Sequence, residues 1–187
     1  MYSTSDFRKG LKIEFKGDPY IITEFLHVKP GKGGAFVRTK LKNMITGRVL
    51  DETFRSGEKV DRPDLEEKNV QYLYLDQDGY CFMDNETYEQ IFLSQEQVGE
   101  ARFFLQENIN VNLLLYQGRP IGLDLPTTVD LSVVESEPGI KGDTATGATK
   151  AAKMETGLVV QVPLFINEGD VLKIDTRTGS YIERAKN

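Results

Sequence analysis

Tryptophan is absent from the 187 residues, and cysteine and histidine occur once each, as Cys81 and His27. A single thiol forms no intramolecular disulfide. One imidazole and one thiol are too few soft ligands for a zinc site, and a site of carboxylates alone would take a hard ion instead. No metal and no cofactor are therefore expected. Long apolar runs are missing as well: no stretch approaches the roughly 18 residues needed to cross a membrane. Met1–Gly10 is polar and charged, without the apolar centre of a secretion signal. With 39% hydrophobic and 28% charged residues, the composition is an ordinary soluble one. Together these absences predict a cytoplasmic protein with no membrane partner.

Positive charge is scarce in the middle of the chain. The net charge of -6 conceals an asymmetry: residues 1–62 carry 13 Lys and Arg against 8 acids, residues 63–126 carry 3 against 12, and residues 127–187 carry 7 against 9. A basic end joined to an acidic middle suits a chain that meets nucleic acid at one end and resists condensing on phosphate elsewhere. A chance skew in a short segment is the alternative. The length favours two or three small modules as much as one domain, and the charge breaks suggest divisions after residues 62 and 126.

Alternation at period two dominates what is present. Leu11, Ile13 and Phe15 alternate with Lys12, Glu14 and Lys16, and Gly17-Asp18-Pro19 turns the chain. Residues 20–28 are rich in β-branched and aromatic side chains, residues 35–44 alternate again, and residues 49–54 add a strand, so the first segment reads as a small β-barrel. In the middle segment, residues 70–75 and 80–83 form a hairpin across Gln77-Asp78-Gly79. Ser94 precedes Gln97 by capping-box spacing, and Val98, Ala101, Phe104 and Leu105 then share a face, which predicts a helix to Leu105. Strands at 108–116 and 121–125, separated by the turn Gln117-Gly118-Arg119-Pro120, complete an oligonucleotide-binding-type (OB) barrel. Strands at 129–133, 158–162, 171–174 and 181–182 make a third barrel-like set. The expected fold class is all-β, with one short helix and three small barrels over 1–62, 63–126 and 127–187.

The most informative loop is Lys29-Pro30-Gly31-Lys32-Gly33-Gly34. Pro30 stiffens it, while Gly31, Gly33 and Gly34 can take positive φ without steric cost. Lys32 at the tip can follow a narrow channel because its neighbours lack bulk; a solvated hairpin turn with an incidental cation is the alternative. The spacing of a phosphate-binding Walker loop is absent. Beyond the loop, Arg38, Lys40 and Lys42 form a cationic stripe that can lie along a phosphate backbone. An ordinary wet strand face, partly neutralised by Asp51 and Glu52 across the ladder, explains the same pattern. The stretch 139–157 is long for a connection. Its Gly142-Asp143-Thr144 and Lys150 can bond ribose or phosphate, or serve as an inert connector. Cys81 sits in a strand pattern beside aromatics, as core filling does, and His27 is a strand residue; nothing in their spacing suggests a nucleophile with its base. Asp76 and Asp78 are explained by turn chemistry. No enzymatic activity is expected.

Over essentially its full length the sequence resembles the elongation factor P family. The resemblance rests on Pro30-Gly31-Lys32-Gly33-Gly34-Ala35-Phe36 followed by Val37-Arg38-Thr39-Lys40. It continues in Glu155-Thr156-Gly157 with Val160-Gln161-Val162-Pro163, and in Thr176-Arg177-Thr178-Gly179 with Tyr181 and Arg184. Ala151 stands where the family often has proline. The resemblance implies an SH3-like or KOW-type first domain and two OB-fold domains arranged as an L-shaped mimic of tRNA. It further implies a monomer that binds the 70S ribosome between the P and E sites and relieves stalling at consecutive prolines. On that implication Lys32 supports the CCA end of the P-site tRNA and is open to modification by a dedicated enzyme. Arg38, Lys40 and Lys42 hold the tRNA backbone, Gly142, Asp143 and Thr144 approach the E-site mRNA codon, and Tyr181 and Arg184 contact the ribosome. Two other readings remain at this point: a general single-strand RNA-binding module that stacks bases on barrel aromatics, and an elongation-factor-P-like paralogue.

Overall fold

The computed structural model describes residues 1–139 and 147–186. Six strands lie in the first segment: β1 (Tyr2–Ser3), β2 (Lys12–Phe15), β3 (Asp18–Val28), β4 (Phe36–Asn43), β5 (Val49–Arg55) and β6 (Lys59–Val60). Strands β2 to β5 form an antiparallel four-stranded sheet in sequence order, and β1 pairs with β6. Lys16 and Gly17, both at positive φ, make the tight turn between β2 and β3. The turn therefore comes earlier than Gly17-Asp18-Pro19, and Asp18 and Pro19 already belong to β3. The predicted alternation holds on β4: Val37, Thr39 and Leu41 are buried while Arg38, Lys40 and Lys42 are exposed. The core joins Phe7, Ile13, Ile22, Val37, Leu41 and Phe54, with Phe7 and Phe54 edge to face at 5.2 Å. Buried Thr39 is satisfied by donating Oγ1–H to the Glu52 carbonyl at 2.8 Å.

The middle of the chain adds β7 (Leu65–Asp76), β8 (Gly79–Asp84), β9 (Gln90–Leu93), the single-turn helix α1 (Gln95–Val98), β10 (Asn110–Tyr116) and β11 (Arg119–Asp124). The strands order as β11-β10-β7-β8-β9. The capping box forms as expected, with Ser94 Oγ accepting from the Gln97 amide and Gln97 Oε1 accepting from the Ser94 amide at 2.9 Å. The helix does not run on to Leu105. Gly99, at φ 59 and ψ -141, ends it after one turn, and a 3-10 helix covers Gly99–Phe104. Beyond the break at Gly99, Phe104 is buried in the core of the last sheet, of which Val98 is not a member.

The last five strands are β12 (Thr128–Ser136), β13 (Thr149–Met154), β14 (Val159–Pro163), β15 (Val171–Asp175) and β16 (Ser180–Arg184), ordered β14-β13-β12-β15-β16. Strands β14 and β16 approach each other, curling the sheet towards a barrel around Leu131, Met154, Val162, Ile166, Leu172 and Ile174. The chain gathers into two compact units: Met1–Glu66 with Leu115–Ile121, and Glu67–Leu114 with Gly122–Asn187. Within the first, Tyr116 Oη donates to the Gly17 carbonyl at 3.0 Å. Among the described residues no helix is long and apolar enough to cross a membrane.

Candidate functional site

Strand β2 pairs with β3 over Asp18–Ile21, and the Ile22 backbone still bonds Leu11 and Gly10, so among the described residues β3 is the free edge of its sheet from Thr23 onwards. Its distal residues Glu24, Phe25, Leu26 and His27 are all exposed, and pairing with β4 continues to the rung Val28–Phe36. The loop that closes this hairpin is exposed from Lys29 to Gly34 and held at its base by the Ser56 amide, which donates to the Ala35 carbonyl at 2.9 Å. Gly33 has φ 102, a conformation that L side chains resist. Of the three glycines that can take positive φ, only Gly33 does so; Gly31 and Gly34 do not. A Cβ placed at Gly31, Gly33 or Gly34 meets no atom within 4 Å. The fold itself thus makes no demand for bare backbone at two of these three positions, and Lys32 stands between them in open space.

The bulge between Ile22 and Glu24 decides what faces the basic stripe. Without it Lys40 would lie opposite Thr23. With it Lys40 faces Glu24 on one side and Asp51 on the other, and its Nζ is 3.8 Å from Glu24 Oε2. Arg38 lies between Leu26 and Thr53, its guanidinium 5.5 Å from the Phe36 ring centre, and Lys42 lies between Ile21 and Val49. Glu52 does not join the neutralisation: it pairs with Thr39, on the other face of the sheet. A groove of about 430 Å³ runs along this surface, lined by Glu24, Leu26, Arg38, Lys40, Asp51 and Thr53 among others. Of the three candidate phosphate ligands, Arg38 and Lys42 present the less compensated charges. Glu24 was invisible as a site residue in the sequence because only the bulge brings it to Lys40.

The remaining candidates do not gather around this loop. Gly142, Asp143 and Thr144 lie outside the described residues. Tyr181 packs on the core of the last sheet, and Arg184 is exposed, with Nη1 3.8 Å from Asp170 Oδ2 and its guanidinium 5.7 Å from the Phe165 ring centre. His27 is exposed and edge-on to Phe25 at 5.7 Å, whereas Cys81 is fully buried, and the two belong to different compact units. Nor does the middle sheet offer its central rings as a stacking surface. Tyr72, Tyr80 and Phe82 are buried against one another, and burial pushes the Tyr72 phenol above its ordinary pKa.

Comparison with known proteins matches three stretches of the chain. Residues 3–60 fit the profile described as the elongation factor P KOW-like domain, residues 65–123 the elongation factor P OB domain, and residues 129–184 the elongation factor P C-terminal domain. The elongation factor P of Moorella thermoacetica is 62% identical over 185 residues, covering 99% of this chain and 100% of the relative. That of Bdellovibrio bacteriovorus is 58% identical over 98% of both chains, and that of Symbiobacterium thermophilum 59% identical over 99% of this chain and 100% of the relative. Sheets, profiles and relatives agree on a mostly β chain with KOW-like and OB domains, and the chain belongs to the elongation factor P family of translation elongation factors.

Proposed function

We propose that this factor binds the 70S ribosome between the P and E sites and stimulates peptide-bond formation at runs of proline by positioning the P-site tRNA through Lys32. The observation that carries this reading is the bare tip: an exposed loop, closing a hairpin whose distal residues are themselves exposed, with a lysine among glycines of which two, Gly31 and Gly34, are not required by the fold. Proline fixes φ and restricts how donor and acceptor align for transfer. A factor that holds the acceptor end in a reactive pose lowers the entropic part of that barrier without giving or taking a proton. The ribosome performs the chemistry, and the factor contributes no catalytic group. Lys32, with or without an added group from a modifying enzyme, reaches the sugar and phosphate of the acceptor end, and Arg38 and Lys42 hold the backbone behind it. Gly142, Asp143 and Thr144 approach the E-site codon, and Arg184 meets the ribosome. The setting is the cytoplasm, and the factor acts as a monomer.

The test is Lys32→Ala. Because Lys32 is exposed, the melting temperature should stay at that of the wild type, while stimulation of Pro-Pro-Pro synthesis in a reconstituted translation assay is lost. Undiminished stimulation refutes the role given to Lys32.

A further inference from the structure

The Glu155-Thr156-Gly157 sequence in the turn between β13 and β14 has no explanation in the turn alone. Gly157, at φ 89, accounts for the backbone reversal. The two side chains before it point elsewhere. Thr156 donates Oγ1–H to the Phe103 carbonyl at 2.5 Å, capping the 3-10 segment Gly99–Phe104 from another sheet. Glu155 Oε1 accepts from Gln106 Nε2 at 3.1 Å and from the Ser132 amide at 3.0 Å, so one carboxylate oxygen ties the segment after the 3-10 helix to β12. Between these polar ties Phe104 is buried in the core of the last sheet together with Val129, Leu131 and Ile174. Phe103, Ile109 and Leu125 pack against the same core. Gly179, at φ 71, borders the same site: a Cβ there would sit 3.9 Å from Phe104 Cζ.

We propose that Glu155 and Thr156 are positioning residues that latch the 3-10 segment onto the last sheet, so that residues 67–114 and 122–186 tumble and unfold as one body. The apolar anchor supplies affinity, and the two polar ties supply direction. A phenyl ring in a core fixes depth but not rotation, whereas a carbonyl and an amide bonded before and after it in sequence fix the angle. The inference does not depend on what Lys32 does.

Thr156→Val keeps side-chain shape and leaves the Phe103 carbonyl without its donor. Amide exchange at Arg102–Gln106 should accelerate about tenfold, and nitrogen relaxation should resolve separate rotational correlation times for the middle and last sheets. Thr156→Ser, which restores the hydroxyl, should return both readouts to wild type. Glu155→Gln tests the second tie: it should keep the bond from the Ser132 amide and weaken the one from Gln106, giving a smaller acceleration. A merely structural role would lower the melting temperature without separating the correlation times. A single correlation time in Thr156→Val, with or without faster exchange, would overturn the latch.

Discussion

Glu24→Gln separates a phosphate-binding strand from an ordinary wet one. The outward face of β4 presents Arg38, Lys40 and Lys42, but Lys40 lies between Glu24 and Asp51, so three cations face an incoming polyanion with two carboxylates among them. Glutamine preserves the size of residue 24 and removes one of those carboxylates. One further uncompensated cation at a phosphate releases about one more counterion, steepening the dependence of log K on log salt by roughly 0.7–0.9. Between about 50 and 200 mM salt that slope corresponds to about a threefold difference in affinity. Stability should hardly respond: the pair is 48% and 69% exposed at its two side chains, and exposed pairs contribute only about 0–1 kcal/mol.

The assay is equilibrium binding to ribosomes carrying P-site tRNA across a potassium chloride series. Glu24→Gln should bind about threefold more tightly at low salt, with the steeper slope. Arg38→Ala and Lys42→Ala should flatten the slope by a similar amount, and Lys40→Ala should flatten it less, since its charge is already compensated. Equal losses for Arg38→Ala and Lys40→Ala, or an unchanged slope in Glu24→Gln, would refute the reasoning.

Three further outcomes follow from local geometry. Gly79→Ala should cost at least about 2 kcal/mol, read as a fall in melting temperature, because Gly79 has φ 116 and a Cβ there would lie 2.5 Å from the Leu93 carbonyl oxygen. Asp84 accepts from the amides of Glu86 and Thr87 and faces the charge of Lys68, which together hold its carboxyl below the usual range. Its contribution is therefore present above the unfolded pKa and lost as pH falls through the folded one, so Asp84→Asn, which keeps the turn acceptor, should melt with a flatter pH profile on the acid side of about pH 4. Gly31→Ala and Gly34→Ala should leave stability unchanged or raise it by up to about 0.4–1 kcal/mol, read as an equal or slightly higher melting temperature, while stimulation of Pro-Pro-Pro synthesis falls; unimpaired stimulation in both would mean that nothing passes close to that backbone.

The parts of this chain that were legible in its sequence are those governed by short-range rules. Val37, Thr39 and Leu41 could be read as inward because a strand with one wet face must alternate, and the loop at Lys32 because Pro30, Gly31, Gly33 and Gly34 cluster around it. Ser94 and Gln97 could be read as a capping box because both partners lie within one turn. What could not be read depends on pairings between distant residues. One extra residue at the β3 bulge shifts every later rung of the β3–β4 ladder, and it is this shift that sets Glu24 against Lys40 and halves the meaning of a stripe that looks uniformly basic. Glu52, close to Asp51 in sequence, was grouped with it, yet a neighbour in a strand points to the opposite face. A period of 3.6 predicts one helix through Phe104, but Gly99 ends that helix after one turn, and Phe104 goes to a core whose other buried residues lie beyond 128. In each case composition announces a feature and register decides what it does, so the charge that a tRNA would meet on β4 is set less by the residues of β4 than by the bulge in the strand beside it.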